Sequence, residues 1–205
     1  MVGNSRAWDA SGPQPEPPEP PELAEPSELA EPSEPAKERD PEALGRQICM
    51  RLLTLAPRTR AQLGDAMRRR GVPDEAAESV LDRFAEAGLI DDAAFARAWV
   101  DSRHHGRGLS RRSLSAELRQ RGVDVEDISV AVEAVDPDQE VATARRLVER
   151  KLAATHGQPH DARVRRVAGM LARKGYPAGL SFRLIREALE QEGSGLEDLP
   201  DPDGD

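Results

Sequence analysis

The chain has 205 residues, a formal charge of −9 and 38% hydrophobic but only 3% aromatic content, enough apolar material for one or two small domains without a large ring-rich core. One cysteine, Cys49, excludes an intramolecular disulfide and fits a reducing compartment. The N-terminus has no apolar leader core and no apolar run reaches the ~18–20 residues that span a bilayer, so a cytoplasmic location is expected and a membrane role is not.

The total charge hides an asymmetry. Residues 1–40 carry net −7, residues 41–190 net +4 and residues 191–205 net −6. Pro and Glu dominate from Pro13 to Pro35, and Leu-Ala-Glu-Pro-Ser-Glu occurs at 23–28 and again at 29–34. Dense proline removes backbone donors, and sparse apolar residues do not offset ordering entropy. Residues 1–40 therefore read as a disordered acidic arm, with Trp8 an isolated ring, and residues 191–205 as a disordered acidic tail.

From Pro41 the spacing turns helical. Leu44, Ile48, Leu52 and Leu55 share one helix face, and Pro57 stops the helix. Thr59 caps a second helix bearing Leu63 and Met67, which closes at Arg70-Gly71. A third, opened by Pro73, carries Ala77, Val80, Leu81 and Phe84 and stops at Gly88.

The order then begins again. Asp91 or Asp92 caps a short helix with Phe95, Ala98 and Trp99, followed by a basic turn, His104-His105-Gly106-Arg107-Gly108. Ser110 caps a helix with Leu114 and Leu118 that closes at Gly122. Ile128, Val132 and Val135 mark the next. Pro137 opens a long helix with Val141, Ala144, Val148 and Leu152. Asp161 caps one with Val164, Val167 and Leu171 that closes at Gly175, and Pro177 opens the last, with Phe182, Ile185 and Leu189.

The closing glycines Gly71, Gly122 and Gly175 lie 51 and 53 residues apart. Aligned on them, the preceding residue is Arg70, Arg121 or Lys174, and the following one Val72, Val123 or Tyr176. Three copies of helix, basic helix, glycine and helix predict an all-α body of tandem three-helix repeats, about 41–90, 91–136 and 137–190, forming an elongated, curved array.

The second helices carry the candidate chemistry. Arg58, Arg60, Arg68, Arg69 and Arg70 belong to the first, Arg107, Arg111, Arg112, Arg119 and Arg121 to the second, and Arg163, Arg165, Arg166, Arg173 and Lys174 to the third. Guanidinium forks suit phosphate and carboxylate oxygens, so a periodic track of them can follow a nucleic-acid backbone or an acidic protein groove. Solvated helix faces, with cations favoured at C-termini by the helix dipole, produce the same pattern. The remaining candidates have simpler structural roles. Asp91-Asp92 suits N-capping, His104-His105 reads as exposed loop histidines with no third metal ligand, and Phe95 and Trp99 at i, i+4 read as core. No nucleophile arrangement, cofactor motif or metal set emerges, and a non-enzyme is expected.

The segment Gly88-Leu89-Ile90-Asp91-Asp92-Ala93-Ala94-Phe95-Ala96 resembles the G-[YLF]-[IL]-[DN]-D-x-x-[FY]-A signature of the RecX regulatory proteins. Arg103, Gly106-Arg107-Gly108, Leu114, Glu117-Leu118 and Gly122-Val123 continue it. The resemblance implies tandem three-helix repeats. It also implies a protein that binds the RecA recombinase filament on single-stranded DNA and restrains its extension, ATPase and strand exchange, modulating recombination and repair. Such a protein acts by occupancy, as a monomer without cofactor, with non-specific duplex DNA a lesser partner. On this view Arg68, Arg69, Arg70, Arg107, Arg111, Arg112, Arg119, Arg121, Arg163, Arg165, Arg166, Arg173 and Lys174 form the contact surface. The residues alone leave two competitors open, a helix-turn-helix transcriptional regulator and a protein-binding α-solenoid scaffold.

Overall fold

A computed structural model describes residues 40–197; the readings of the Pro/Glu arm, Trp8 and most of the acidic tail lie outside the described residues. The described residues form helices α1 (Pro41–Leu55), α2 (Arg60–Arg68), α3 (Asp74–Glu86), α4 (Asp92–Arg107), α5 (Arg111–Gln120), α6 (Val125–Glu133), α7 (Pro137–Ala153), α8 (His160–Arg173) and α9 (Ala178–Glu197), with no strand among them. Packing follows sequence order. Helices α1–α3, α4–α6 and α7–α9 each pack on one another and enclose separate apolar clusters. The predicted all-α fold of three tandem three-helix units is the observed one.

Local chemistry sets the helix starts. Asp40 accepts from the Glu42 N–H at 3.0 Å, with Pro41 in the first turn of α1. Thr59 and Gln62 form a reciprocal capping box on α2, and Ser110 caps α5 through the Ser113 N–H at 3.2 Å. Asp91 caps α4 through the Ala94 N–H at 2.7 Å. At α8 the helix begins at His160, ahead of the expected Asp161, and its cap position is Pro159, which offers no side-chain hydrogen bond.

The second helices end alike. The N–H groups of Gly71, Gly122 and Gly175 reach back to the carbonyls of Arg68, Arg119 and Ala172, and those of Val72, Val123 and Tyr176 reach Met67, Leu118 and Leu171. This is the Schellman pattern, which needs a left-handed residue at the glycine and an apolar residue after it to fold back on the helix. The three following residues are accordingly buried. Each unit's core is small. In the first, Ile48, Cys49, Leu63, Met67, Val80 and Leu81 are almost fully enclosed. Each such aliphatic side chain contributes roughly 1.5–3 kcal/mol of transfer free energy.

The units meet through the ends of their second helices. The Thr59 hydroxyl, at the start of α2, donates to the Arg121 carbonyl at the end of α5 (2.6 Å). The Ser110 N–H, at the start of α5, donates to the Lys174 carbonyl at the end of α8 (3.0 Å). The next backbone N–H in each case finds a carboxylate on the following unit's first helix: Arg60 bonds Asp92 (2.9 Å) and Arg111 bonds Glu140 (2.8 Å). One junction is thus built twice from equivalent positions. Among the described residues it stops at both ends, because none of them lies within 4 Å of a Cβ placed on Gly71, and Pro159 presents no cap hydroxyl.

Candidate nucleic-acid interface

The structure sorts the cations of the second helices into free and committed. Arg69, Arg70, Arg112, Arg119, Arg165 and Arg173 are exposed. Arg68 is exposed too, paired with Asp65 (3.0 Å) and more loosely with Asp74 (3.7 Å). Surface pairs of this kind are worth about 0–1 kcal/mol, so a phosphate exchanges for them at little cost. Arg166 is exposed and bonds Gln158 Oε1.

Other members have structural partners. Arg163 is 9% exposed; its guanidinium bonds Glu192 on α9 (2.7 Å) and the Leu152 carbonyl at the end of α7 (3.1 Å), joining all three helices of its unit. Arg121 lies 3.7 Å above the Trp99 ring and bonds the Glu117 carbonyl (2.6 Å), while Arg103 covers the same ring at 4.2 Å. Burial lowers the Arg121 pKa, Glu117 opposes that and Arg103 adds to it. Each cation–π contact is worth about 0.5–2 kcal/mol, and the Glu117 charge offsets part of the repulsion between the two arginines. Arg111 is half-buried at the second junction, and its Nε, like that of Arg58, is enclosed without a hydrogen-bond partner among the described residues. Arg60 pairs with Glu78 (2.5 Å) and Asp82 (2.7 Å). Lys174 Nζ reaches the Arg107 carbonyl.

Two readings of the middle unit change. The basic turn is not a loop: α4 continues through His104, His105 and Gly106 to Arg107, and only Gly108 leaves it, at φ +61°. A helical His104 faces inward, so it is not an exposed loop histidine. It is 2% exposed, with Nδ1 3.0 Å from the Leu109 carbonyl and Nε2 3.4 Å from Thr143 Oγ1 on α7. Only His105 keeps the expected exposure. Phe95 and Trp99 stack at 5.7 Å against the middle core, while Ala98 is exposed and Ala96 and Val100 are buried in the stripe assigned to it. In the third unit Phe182 is 50% exposed, displaced from the core face by Leu184 and Ile185.

Attention to the second helices alone missed Arg146 and Arg150. They sit at i, i+4 on α7, a first helix, and face the end of α4 across the unit boundary. The spacing was visible; what they face was not.

Family models place the chain. That described as RecX, first three-helix domain, matches residues 46–84, the second three-helix domain 91–132 and the third 138–185. The chain is 63% identical over 164 residues to "Regulatory protein RecX" of Thermobifida fusca (strain YX), covering 80% of this chain and 88% of that protein. It is 60% identical over 163 residues to the protein of the same name from Streptomyces lividans, covering 80% and 87%. The fold superposes on the crystal structure of RecX from Lactobacillus salivarius with TM-score 0.64 at 16% identity, over 74% of this chain and 98% of that one. Three consecutive family domains, matched in order onto three three-helix units, and relatives this close over most of their length establish that the chain belongs to the RecX family of regulatory proteins.

Proposed function

We propose that this protein binds the RecA filament on single-stranded DNA in the cytoplasm, as a monomer, and restrains filament extension, ATP hydrolysis and strand exchange. One observation carries the reading: every second helix of a RecX-family chain bears exposed arginines, and aligned on the closing glycines Arg68 matches Arg119, Arg69 matches Arg173 and Arg112 matches Arg165. Cations repeated along an array match a repeating phosphate backbone and a repeating protein polymer alike. The protein contributes contact and occupancy, not bond-making.

The junctions weigh against a helix-turn-helix regulator. In that motif the N-terminal residues of the second helix read base edges in the major groove. Here the starts of α2 and α5 are closed off by the next unit, with Thr59 fully buried and Ser110 1% exposed. A footprint on one specific operator sequence would reinstate that reading.

The direct test is RecA ATPase activity on single-stranded DNA with substoichiometric protein added. Inhibition is expected. Undiminished hydrolysis at equimolar protein defeats the filament reading.

A further inference from the structure

The boundary between the second and third units encloses a basic cleft of about 190 Å³, lined among others by His105, Arg107, Gln139, Arg146 and Arg150. Its lining cations come from α4 and α7, and Lys174 approaches them from the end of α8. Arg107 ends α4, Arg146 and Arg150 come from successive turns of α7, and Lys174 ends α8 with its ammonium on the Arg107 carbonyl. Burial lowers the Lys174 pKa, and Arg150 and Arg107 lower it further, as expected where positive charge crowds.

Among the described residues, no carboxylate lines the cleft. Arg107 and Arg150 form no ion pair among the described residues, and Arg146 bonds only the neutral Thr143 hydroxyl, at 3.0 Å. Asp101 pairs with the lining His105 (3.0 Å) and Glu140 accepts from the Arg111 N–H (2.8 Å), and among the described residues neither forms an ion pair with the three arginines. Like charges held together without a counter-charge repel, and an anion between them relieves that repulsion. Gly108 adds a constraint. Its left-handed backbone packs so tightly on α7 that a Cβ would lie 2.9 Å from Leu147 Cδ1, which holds the end of α4 against α7.

Size selects the anion. Pockets for drug-sized ligands run to roughly 300–1,000 Å³, whereas water occupies about 30 Å³, so this cleft has room for one tetrahedral oxyanion and its first waters. We propose that the Arg107–Arg146–Arg150 cleft holds a single phosphate group of a single-stranded nucleic-acid backbone, anchoring the strand at the boundary of the second and third units. The proposal rests on the nucleic-acid half of the functional reading above; the chemistry it shares with free phosphate is the tetrahedral oxyanion.

The test uses the full chain and an Arg107→Gln/Arg150→Gln double variant, both substitutions being at exposed side chains, with circular dichroism to confirm unchanged helicity. Fluorescence anisotropy with oligo(dT) is measured across a salt series. One lost phosphate contact should lower the slope of log K against log salt by about 0.7 and weaken binding equally for oligo(dT) and mixed sequences. An unchanged slope and affinity overturns the proposal. A separate titration with inorganic phosphate follows the Gly106 and Gly108 amide resonances. Shifts in the wild type that vanish in the double variant support the site, and no shift in the wild type overturns it. If the wild type fails to bind oligo(dT) at low salt, the nucleic-acid reading falls. The phosphate titration then decides the cleft by itself, as a site for a free oxyanion if the shifts occur and as no site if they do not.

Discussion

Gly175 lies so close to Ser113 that a Cβ on the glycine would sit 2.1 Å from the Ser113 Oγ. Gly122 meets Ala61 in the same way, its Cβ 2.3 Å from the alanine's, whereas Gly71 meets none of the described residues within 4 Å. All three have positive φ, at +78°, +74° and +85° in chain order. A left-handed cap therefore serves in two of three units as the contact face between units as well. Replacement by alanine should cost about 1–2 kcal/mol at Gly71, the left-handed penalty alone. At Gly122 and Gly175 the loss should be visibly larger, because the neighbouring unit must also move. Urea unfolding of the three variants checks this; equal losses would mean the junctions are slack.

Arg163 separates fold from function. Its side chain is 11% exposed and its partner Glu192 36%, so the pair is only partly desolvated. Charged hydrogen bonds in such settings contribute about 1.5–3 kcal/mol. Arg163→Ala should lower stability by about that much, chiefly by loosening the third unit. Single-stranded DNA affinity, measured below the unfolding transition, should stay within about twofold, a difference of ~0.4 kcal/mol at most. A large loss of affinity in a fully folded Arg163→Ala protein would return this residue to the contact surface.

Arg111 and Arg112 are neighbours with opposite expected behaviour. Arg112 is exposed near the start of α5, and Arg112→Glu should weaken RecA inhibition and DNA binding with helicity intact. Arg111 is half-buried with its Nε enclosed, so Arg111→Glu should reduce helicity or the unfolding midpoint first. Circular dichroism beside the ATPase assay distinguishes them. Equal loss of helicity in both would make the start of α5 wholly structural.

Tyr176 is the single tyrosine, and its hydroxyl donates to the Gly108 carbonyl at 3.1 Å across the second junction. Burial, with Glu140 adding to it and Arg146 opposing, pushes its pKa up to about 12. The folded state thus holds the proton more tightly than the unfolded state does. Its stabilising contribution is complete below about pH 10 and is lost as pH rises toward 12, amounting to about 2–3 kcal/mol. Stability measured from pH 9 to 12 should fall along with the appearance of tyrosinate ultraviolet absorbance. In Tyr176→Phe this part of the fall should disappear. A tyrosine titrating near pH 10 in the folded protein would contradict the buried junction.

Most of the fold was legible along the chain because its determinants are local. Thr59, Asp91 and Ser110 cap helices through N–H groups three residues away, and each glycine closes a helix through carbonyls within five residues. Apolar spacing then marked out the three cores, except where it placed Leu55, Ala98 and Phe182 inward. At those sites several phases of one helix were nearly equally apolar, and the neighbouring helices chose between them. His104 failed for a related reason. Gly106 and Gly108 suggested an early helix stop, but Thr143 and Leu147 of the next unit hold the last turn of α4 in place.

By itself the sequence determined the helices, their threefold recurrence and the kinship to RecX proteins, since all of these are written in residues a few positions apart. Only the tertiary structure decided which arginines are free. Arg163 is tied by a residue 29 positions away, the Arg111 amide by one 29 away and Lys174 by one 67 away, while Arg107 and Arg150 converge without a counter-charge. A guanidinium reaches its partner through space at the end of a long, rotatable side chain, and one-dimensional spacing carries no record of what the fold sets opposite it.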